Sequence, residues 1–389
     1  MSKLKFLPAA GLCGLAWLAG CSTDKADRPV VLVSLVNHIQ IKEIWHTRVR
    51  GEAPKLRLGL DVAVDGNRVF AASYKGTVVA FDRSNGRRLW QRELRAPLSG
   101  GPSAADGLVV IGTSKGEVIA LAQQDGALRW RVRVNAEILA APAIGGGLVA
   151  VRGVDGKLFG LAQADGHENW LVDQQVPRLS LRGTSRPLLV GDLTICGFDN
   201  GRLLAVTRGS GATAWDVAVA QPHGNTELRR LIDIDASVQA DGDDLFAIAY
   251  QGRVARIVRE SGQIVWARDL SSYRGLAVDA KAVYVTTAEG DVVSLDRQSG
   301  TEQWRQKGLE RRQLSAPVVY GGRVVVADYS GLVHWLDAAS GAFVARARNG
   351  KQHVSSAPIV AGDLLLVFGD DGDLSAFRTP PAAASATGG

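Results

Sequence analysis

Short apolar runs separated by glycine-containing turns recur along the chain, and this pattern indicates β-strands. The stretch from residue 315 to residue 348 shows four of them in succession: SAPVV, RVVVADY, LVHWLD and AFVARAR. Gly322, Gly331 and Gly341 mark the ends of the first three runs. Runs of this length bounded by turn residues are typical of antiparallel strands joined by short hairpins. Each such stretch therefore predicts a four-stranded antiparallel sheet.

A glycine and a tryptophan fourteen residues apart define a repeat of this pattern. The six complete pairs are Gly76 and Trp90, Gly116 and Trp130, Gly156 and Trp170, Gly201 and Trp215, Gly252 and Trp266, and Gly290 and Trp304. A seventh copy begins at Gly331 and reaches Ala345 where the tryptophan is expected. An eighth begins at Gly372, and the sequence ends before its aromatic residue. The chain thus has eight beginnings and seven endings.

The missing ending is at the N-terminal side, where Trp45 has no turn glycine before it. A repeat divided between the two ends of a chain is expected in a closed ring, because closure pairs the last sheet edge. The repeat of about 40 residues also favours one array over several ordinary domains. We therefore predict an all-β, eight-bladed β-propeller over residues 31–378, closed by the Trp45 strand completing the last blade.

The tryptophans have a recurring small counterpart four positions after the turn glycine. These small residues are Ala80, Ala120, Gly160, Ala205, Ser294 and Ala376. A large indole facing a small side chain fills the wedge between radially arranged sheets. In blade 7 the small position holds Trp335 and the tryptophan position holds Ala345. We therefore expect Trp335 to fill the volume that a tryptophan at position 345 would occupy. Arg256 breaks the rule in blade 5, and the sequence offers no explanation for it.

The N-terminal residues have the features of a targeting segment. Lys3 and Lys5 precede an apolar stretch too short to span a bilayer, which is typical of a cleaved signal peptide over residues 1–20. Residues 18–21, LAGC, resemble the bacterial lipobox, which implies that Cys21 is lipidated. Ser22 after the cysteine implies sorting to the outer membrane by the same analogy. The alternative is an ordinary secretory signal with a chance cysteine.

Residues 21–30 read as a lipidated tether, and residues 379–389, rich in Pro, Ala and Gly, as a disordered tail. Cys196 lies in an apolar strand pattern and is interpreted as a small buried hydrophobe, with a nucleophile as the weaker alternative. The chain has 45 Lys and Arg against 39 Asp and Glu, too small an excess to indicate nucleic acid. Its six histidines lack metal-ligand spacing, and we predict no catalytic, cofactor or metal site.

Two interruptions of the repeat are the places to seek function, because the blades themselves are structural. The interval from a tryptophan to the next glycine is 26 residues after both Trp90 and Trp130. It grows to 31 after Trp170 and 37 after Trp215. Equivalent connections of consecutive blades emerge on one face, so these two are expected to lie side by side. The interval after Trp45 is also 31 residues.

The two enlarged connections combine apolar and charged residues: Leu179, Leu181 and Arg182 in the first, and Arg229, Arg230, Asp233 and Asp235 in the second. Leucines beside arginines and carboxylates suit a protein interface with a small apolar centre and a charged rim. The alternative is that the leucines turn inward and that the aspartates pair with Arg182 or Arg230 within the chain.

The arrangement of Ala80, Asp82, Gly86 and Trp90, A-x-D-x-x-x-G-x-x-x-W, resembles the repeats of the pyrroloquinoline-quinone propeller superfamily. With the lipobox and eight blades, the mature chain resembles the lipoprotein family of the outer-membrane β-barrel assembly (Bam) machinery. That resemblance implies a non-enzymatic scaffold, on the periplasmic face of the outer membrane, that works with BamA and other Bam subunits. It further implies that Leu179, Leu181, Arg182, Asp233 and Asp235 contact a POTRA domain of BamA.

Two other functions compete with this interpretation. A quinone-dependent oxidoreductase would need a bound calcium with carboxylate ligands, for which Asp370, Asp371 and Asp373 could be offered, although they lie in a hairpin turn. A periplasmic adaptor could instead receive unfolded outer-membrane protein clients by strand addition at blade edges.

Overall fold

The protein folds into eight four-stranded antiparallel sheets in a computed structural model that describes residues 28–51, 60–175, 177, 183, 185–221 and 232–381. The described part contains 32 strands and no helix. No segment of it forms a helix long and apolar enough to cross a membrane. The predicted eight-bladed propeller, with four strands per blade, is confirmed.

Strands are numbered in chain order from β1 (Lys42–Arg48). Blade 1 contains β2 (Val62–Asp65), β3 (Arg68–Ala72), β4 (Thr77–Asp82) and β5 (Arg88–Glu93). Blade 2 contains β6 (Leu98–Ala105), β7 (Leu108–Thr113), β8 (Glu117–Ala122) and β9 (Leu128–Arg133). Blade 3 contains β10 (Ala143–Gly145), β11 (Leu148–Arg152), β12 (Lys157–Ala162) and β13 (Glu168–Asp173). Blade 4 contains β14 (Leu188–Val190), β15 (Leu193–Gly197), β16 (Arg202–Thr207) and β17 (Thr213–Ala218).

Blade 5 contains β18 (Gln239–Asp241), β19 (Asp244–Ile248), β20 (Arg253–Val258) and β21 (Ile264–Asp269). Blade 6 contains β22 (Gly275–Val278), β23 (Ala282–Thr286), β24 (Val292–Asp296) and β25 (Glu302–Gln306). Blade 7 contains β26 (Val318–Tyr320), β27 (Arg323–Ala327), β28 (Leu332–Asp337) and β29 (Phe343–Arg348). Blade 8 contains β30 (Ile359–Ala361), β31 (Leu364–Phe368) and β32 (Asp373–Arg378), and β1 is its fourth strand.

The ring closes as the repeat count predicts. Strand β1 pairs antiparallel with β32, and Trp45 lies opposite Ala376. The Val49 amide continues the pairing by donating to the carbonyl of Gly372 at 2.9 Å. Arg48 adds ionic contacts of 3.8 Å to Asp371 and 3.6 Å to Asp373. Both ends of the chain therefore build one blade, and no edge of the ring is left open between them.

Each fourth-strand tryptophan packs on the next blade as well as on its own. Its indole Nε1 donates to a backbone carbonyl in the next blade's turn between third and fourth strands, at 2.8 to 3.0 Å. These seven docking tryptophans and their acceptors are Trp45 with Arg83, Trp90 with Gln123, Trp130 with Gln163, Trp170 with Arg208, Trp215 with Arg259, Trp266 with Arg297, and Trp304 with Ala338.

The accepting turn contains a glycine for two reasons that Gly300 illustrates. Its φ is +69°, a backbone state that side chains disfavour. A Cβ there would also lie 2.7 Å from the ring of Trp266. Glycine thus permits both the turn and the close approach of the indole, while the apolar faces of neighbouring blades form the core between them.

Blade 7 shows the size inversion that the sequence predicts. Trp335 lies opposite Ala345 in the register of β28 and β29, and both are fully buried. The Trp335 ring meets Phe377 of blade 8 edge to face, with centroids 6.0 Å apart. Among described residues its Nε1 has no hydrogen-bond partner. The indole therefore fills the interface without docking on a turn.

The presence of Arg256 at a position that is small in most other repeats is explained by its hydrogen bonds within blade 5 and to blade 6. It lies opposite Trp266, and its Nε donates to Asp244 Oδ1 at 2.8 Å. Its Nη1 donates to Gln298 Oε1, in the third-to-fourth-strand turn of blade 6, at 2.6 Å. The long side chain thus links blade 5 to blade 6 by polar contacts.

Residues 28–41, here called the N-terminal strap, lie against blade 7 without joining a sheet. Val30, placed at the end of the predicted tether, already donates from its amide to the carbonyl of Glu310 at 3.1 Å. At the other terminus Pro380 accepts a hydrogen bond from Arg323, so the predicted tail begins on the propeller surface. Cys196 is fully buried, as expected, and burial raises the pKa of its thiol to about 12.

Candidate partner-binding face

Antiparallel order places all blade-to-blade connections on one face of the ring. In each blade the fourth strand ends on the same side as the turn between second and third strands, and contacts show this directly. The Leu94 amide donates to the Gly76 carbonyl at 2.8 Å, and the Leu98 amide to the Tyr74 carbonyl at 3.0 Å. We call this side the connection face.

Of the five predicted contact residues, Asp233 and Asp235 are described, whereas Leu179, Leu181 and Arg182 lie outside the described residues. The two enlarged connections do meet where the structure describes them. A Cβ added to Gly183 in the first would lie 2.8 Å from the carboxylate of Asp235 in the second. The expectation that they lie side by side is therefore met at this point.

Asp233 and Asp235 differ in accessibility, although both were expected at a charged rim. Asp233 is fully buried, and its carbonyl accepts a 2.8 Å hydrogen bond from the amide of Tyr250, which fixes the connection to the end of β19. Asp235 is only partly buried. Asp235 is thus the more accessible residue of the pair.

A third carboxylate, Asp199, completes an acidic cluster with these two. Oxygen atoms from Asp199, Asp233 and Asp235 all lie within 4.8 Å of one another. The wholly buried guanidinium of Arg152 pairs with Asp199 at 3.2 Å and lies 4.4 Å from the centroid of the Phe198 ring. One buried cation therefore faces three carboxyl groups.

Burial sets the protonation of this cluster. It raises the pKa of Asp235 to about 7, and the neighbouring Asp199 adds to the rise. Burial also raises the pKa of Asp199, against the opposing effects of Arg152 and of a hydrogen bond with Asp233. Carboxyl groups this close favour partial protonation, because neighbouring negative charges repel. Asp235 is the only partly exposed carboxyl group of the three, so the cluster meets its surroundings through Asp235.

Sequence reasoning did not single out either Arg152 or Asp199 as a functional residue. The available signal was an arginine at the end of the apolar run LVAVR, where a buried charge requires a partner. Its partner lies 47 residues away in the next blade, so spacing alone does not reveal it.

An axial cavity of about 850 Å³ opens beside this cluster. Asp235 and Tyr250 line it on one side, and Asp61, Arg186 and Arg274 line it elsewhere. Burial raises the pKa of Asp61 to about 6, opposed by the charge of Arg186. The cavity is therefore polar, with charges of both signs in its wall.

The carboxylates considered as calcium ligands already have partners within the chain. Asp370 accepts a 2.6 Å hydrogen bond from the Ser355 hydroxyl and lies 3.2 Å from His353 Nδ1. Asp371 and Asp373 contact Arg48 of β1, as described above. These groups hold blade 8 together, which does not favour the oxidoreductase interpretation.

Comparison with known proteins places the chain in one family. The family model for the outer membrane protein assembly factor BamB matches residues 32–102, 74–306 and 288–380. The BamB of Pseudomonas aeruginosa is 47% identical over 371 residues, covering 95% of this chain and 98% of that protein. The BamB of Escherichia coli K12 is 34% identical over 384 residues, covering 95% and 98%.

Solved structures agree with this relationship. The crystal structure of BamB from Moraxella catarrhalis superposes with a TM-score of 0.81 at 29% identity, covering 87% of this chain and all of that one. A europium-containing methanol dehydrogenase reaches 0.72 at 14% identity, covering 89% and 95%, and shares the fold alone. The chain belongs to the family of the outer membrane protein assembly factor BamB.

Proposed function

We propose that this protein is a non-enzymatic scaffold subunit of the Bam machinery, which assists the folding and insertion of outer-membrane proteins. Membership of the BamB family supports this role. The observation that carries the binding assignment is the meeting of the two enlarged connections at Gly183 and Asp235. The connection face there departs from the regular repeat and presents chemistry that a partner can use.

The proposed partner is a POTRA domain of BamA, in a complex with other Bam subunits. Leu179, Leu181 and Arg182 would supply the apolar centre and a cation, and Asp235 the accessible carboxyl group. Asp233 acts indirectly, because its buried position fixes the connection through Tyr250. We further propose that lipid on Cys21 holds the protein at the periplasmic face of the outer membrane.

Titration calorimetry of the protein with the POTRA domains of BamA tests whether the proposed contact residues take part in binding. Replacing Leu181 with Asp, or Arg182 with Glu, is expected to weaken binding by about tenfold or more, as for central interface residues. The matched control is Arg129→Glu, an exposed residue near the start of the fourth strand of blade 2 and therefore at the opposite end of the blade from this face. Unchanged affinity in both test variants, with intact folding, would remove these residues from the interface.

Affinity is also expected to depend on pH through Asp235. If a partner cation contacts this carboxyl group, binding favours the ionised form and releases a proton, because the pKa in the free protein is raised to about 7. Affinity should then rise as the pH increases from 6 to 8. Asp235→Asn should remove this dependence, and a slope identical in both proteins would exclude Asp235 from the contact.

A further inference from the structure

The most exposed large apolar side chains of the described residues are clustered in the N-terminal strap. Val31, Val33 and Val36 are 88%, 67% and 81% exposed, and all three lie within six residues. Isolated exposed valines are common, whereas a cluster of the most exposed ones indicates a contact surface. We call these three residues the valine patch.

The strap holds the valine patch in place by contacts on both sides of it. Before the patch, Arg312 Nη1 donates to the Val30 carbonyl at 3.2 Å. After it, the Asn37 side chain accepts from the Arg346 amide at 2.8 Å and donates to the Arg346 carbonyl at 3.1 Å. Leu32 packs inward against the core between blades 6 and 7. In extended chain this inward residue turns Val31 and Val33 outward.

The position of the strap limits how far the patch can be from the membrane. Val31 follows Cys21 by ten residues, which reach at most roughly 35 Å when fully extended. A compact domain of this size is about 50 Å across. A lipid on Cys21 therefore keeps the rim of blades 6 and 7 nearer to the bilayer than the opposite rim.

The surroundings of the patch suit the headgroup layer of a membrane. Arg28 is exposed three residues before the patch, and Arg346 Nη1 donates to the Val33 carbonyl at 3.2 Å. Tyr329 is partly exposed, with the guanidinium of Arg312 4.9 Å from its ring centroid. Apolar side chains beside cations and an amphipathic aromatic ring are the composition that binds at an anionic membrane interface.

We propose that the valine patch inserts into the interfacial layer of the membrane that carries the Cys21 lipid, so that blades 6 and 7 face the bilayer. This inference rests on the lipid anchor put forward under Proposed function. The contact of the valine patch would also fix the orientation of the propeller relative to the membrane. A lipid anchor on a flexible tether alone would not fix that orientation. A strand of a protein partner is the alternative occupant of the same surface.

Depth-dependent quenching on the lipidated full-length protein in anionic vesicles tests this contact. A fluorophore on Val33→Cys is expected to be quenched by lipid-borne quenchers several-fold more than one on Leu128→Cys, the exposed control on blade 2. Cys196 does not interfere, since it is fully buried. Adding Val31→Ser and Val36→Ser to the labelled protein should reduce the quenching while leaving the unfolding midpoint unchanged.

Mass spectrometry of the N-terminal fragment shows whether Cys21 carries lipid. This result separates failure of the lipid anchor from failure of the membrane contact. A lipidated protein with equal quenching at positions 33 and 128 overturns the membrane contact and leaves the anchor standing. Protection of position 33 only when POTRA domains or an unfolded outer-membrane protein are added also overturns it, in favour of a protein occupant. A protein without lipid on Cys21 overturns both proposals.

Discussion

Seven of the eight blade interfaces contain a docking tryptophan, and the interface between blades 7 and 8 does not. The reason lies in the closure of the ring. Blade 8 takes its third strand from one end of the chain and its fourth from the other, so it has no turn joining them. A tryptophan at position 345 would find no turn carbonyl to accept its N–H. We call this interface the seam.

The seam is held by different contacts from those of the other interfaces. Trp335 fills the space from the neighbouring strand, and Ile39 and Ile41 of the strap pack against the same core. On the other face of the same strand, toward blade 6, His334 takes a position where the six complete repeats carry apolar residues. Those residues are Val79, Ile119, Phe159, Leu204, Ala255 and Val293. The comparison teaches that the seam replaces the repeated docking contact with buried aromatic packing.

The largest effect is expected from removing a docking tryptophan. Trp130→Ala should lower the free energy of unfolding by about 3–5 kcal/mol, because a buried indole is lost and a cavity remains. Leu128→Ala on the same strand should change it by less than about 0.5 kcal/mol, since Leu128 is 57% exposed. Urea unfolding followed by circular dichroism gives both values, and similar losses would show that the docked ring contributes little.

A phenylalanine in place of tryptophan separates the two kinds of interface. Trp130→Phe removes an N–H that donates to Gln163 at 2.9 Å, whereas Trp335→Phe removes one without a partner among described residues. A buried donor without a partner is costly, so its removal offsets part of the lost packing. Trp130→Phe should therefore destabilise more than Trp335→Phe, by about 2 kcal/mol. The reverse order would show that the Trp335 N–H is satisfied in solution.

The turn glycines offer a smaller test of docking. Gly300 and Gly66 both have positive φ, +69° and +56°, so alanine meets similar backbone strain at each. A Cβ at Gly300 would also press on Trp266, whereas one at Gly66 has nothing within 4 Å. Gly300→Ala should cost at least about 1 kcal/mol more than Gly66→Ala in the same urea experiment. Equal costs would mean that only the backbone requires glycine there.

The repeat predicted the propeller, its closure by Trp45 and the burial of Trp335, because periodic glycines and aromatics reflect local turns and blade packing. It did not reveal that Trp130 donates to Gln163, since the acceptor is a backbone carbonyl that any residue could supply. The pairing of Arg152 with Asp199 was missed for a related reason: contacts between blades join residues far apart in sequence. The length of the connections indicated where to place the proposed binding face, but the accessibility of Asp233 and Asp235 depended on tertiary packing.

The smallest predicted effect concerns His334, on the third strand of blade 7 with its ring toward blade 6. Its Nε2 lies 3.1 Å from Asp328 Oδ2, while its Nδ1 accepts from Arg346 Nε at 3.1 Å, an arrangement that requires the neutral ring. Burial lowers the pKa of His334, and the charges of Arg346 and Arg312 act in the same direction, against the opposing effect of Asp328. The unfolded chain therefore binds this proton at a higher pH than the folded protein does.

Stability should accordingly be lost as the pH falls below about 6.5, the ordinary pKa of histidine, with a slope of at most about 1.4 kcal/mol per pH unit from this group. His334→Gln keeps a donor for Asp328 and an acceptor for Arg346 but does not titrate, so its stability should fall less between pH 7.5 and 5.5. Other titrating groups, including Asp61 and Asp235, change the free energy of unfolding equally in the variant and in the unchanged protein. Their contributions therefore cancel when the two pH profiles are subtracted. Parallel pH profiles would show that folding does not lower the pKa of His334, and that blade 7 does not require a neutral ring there.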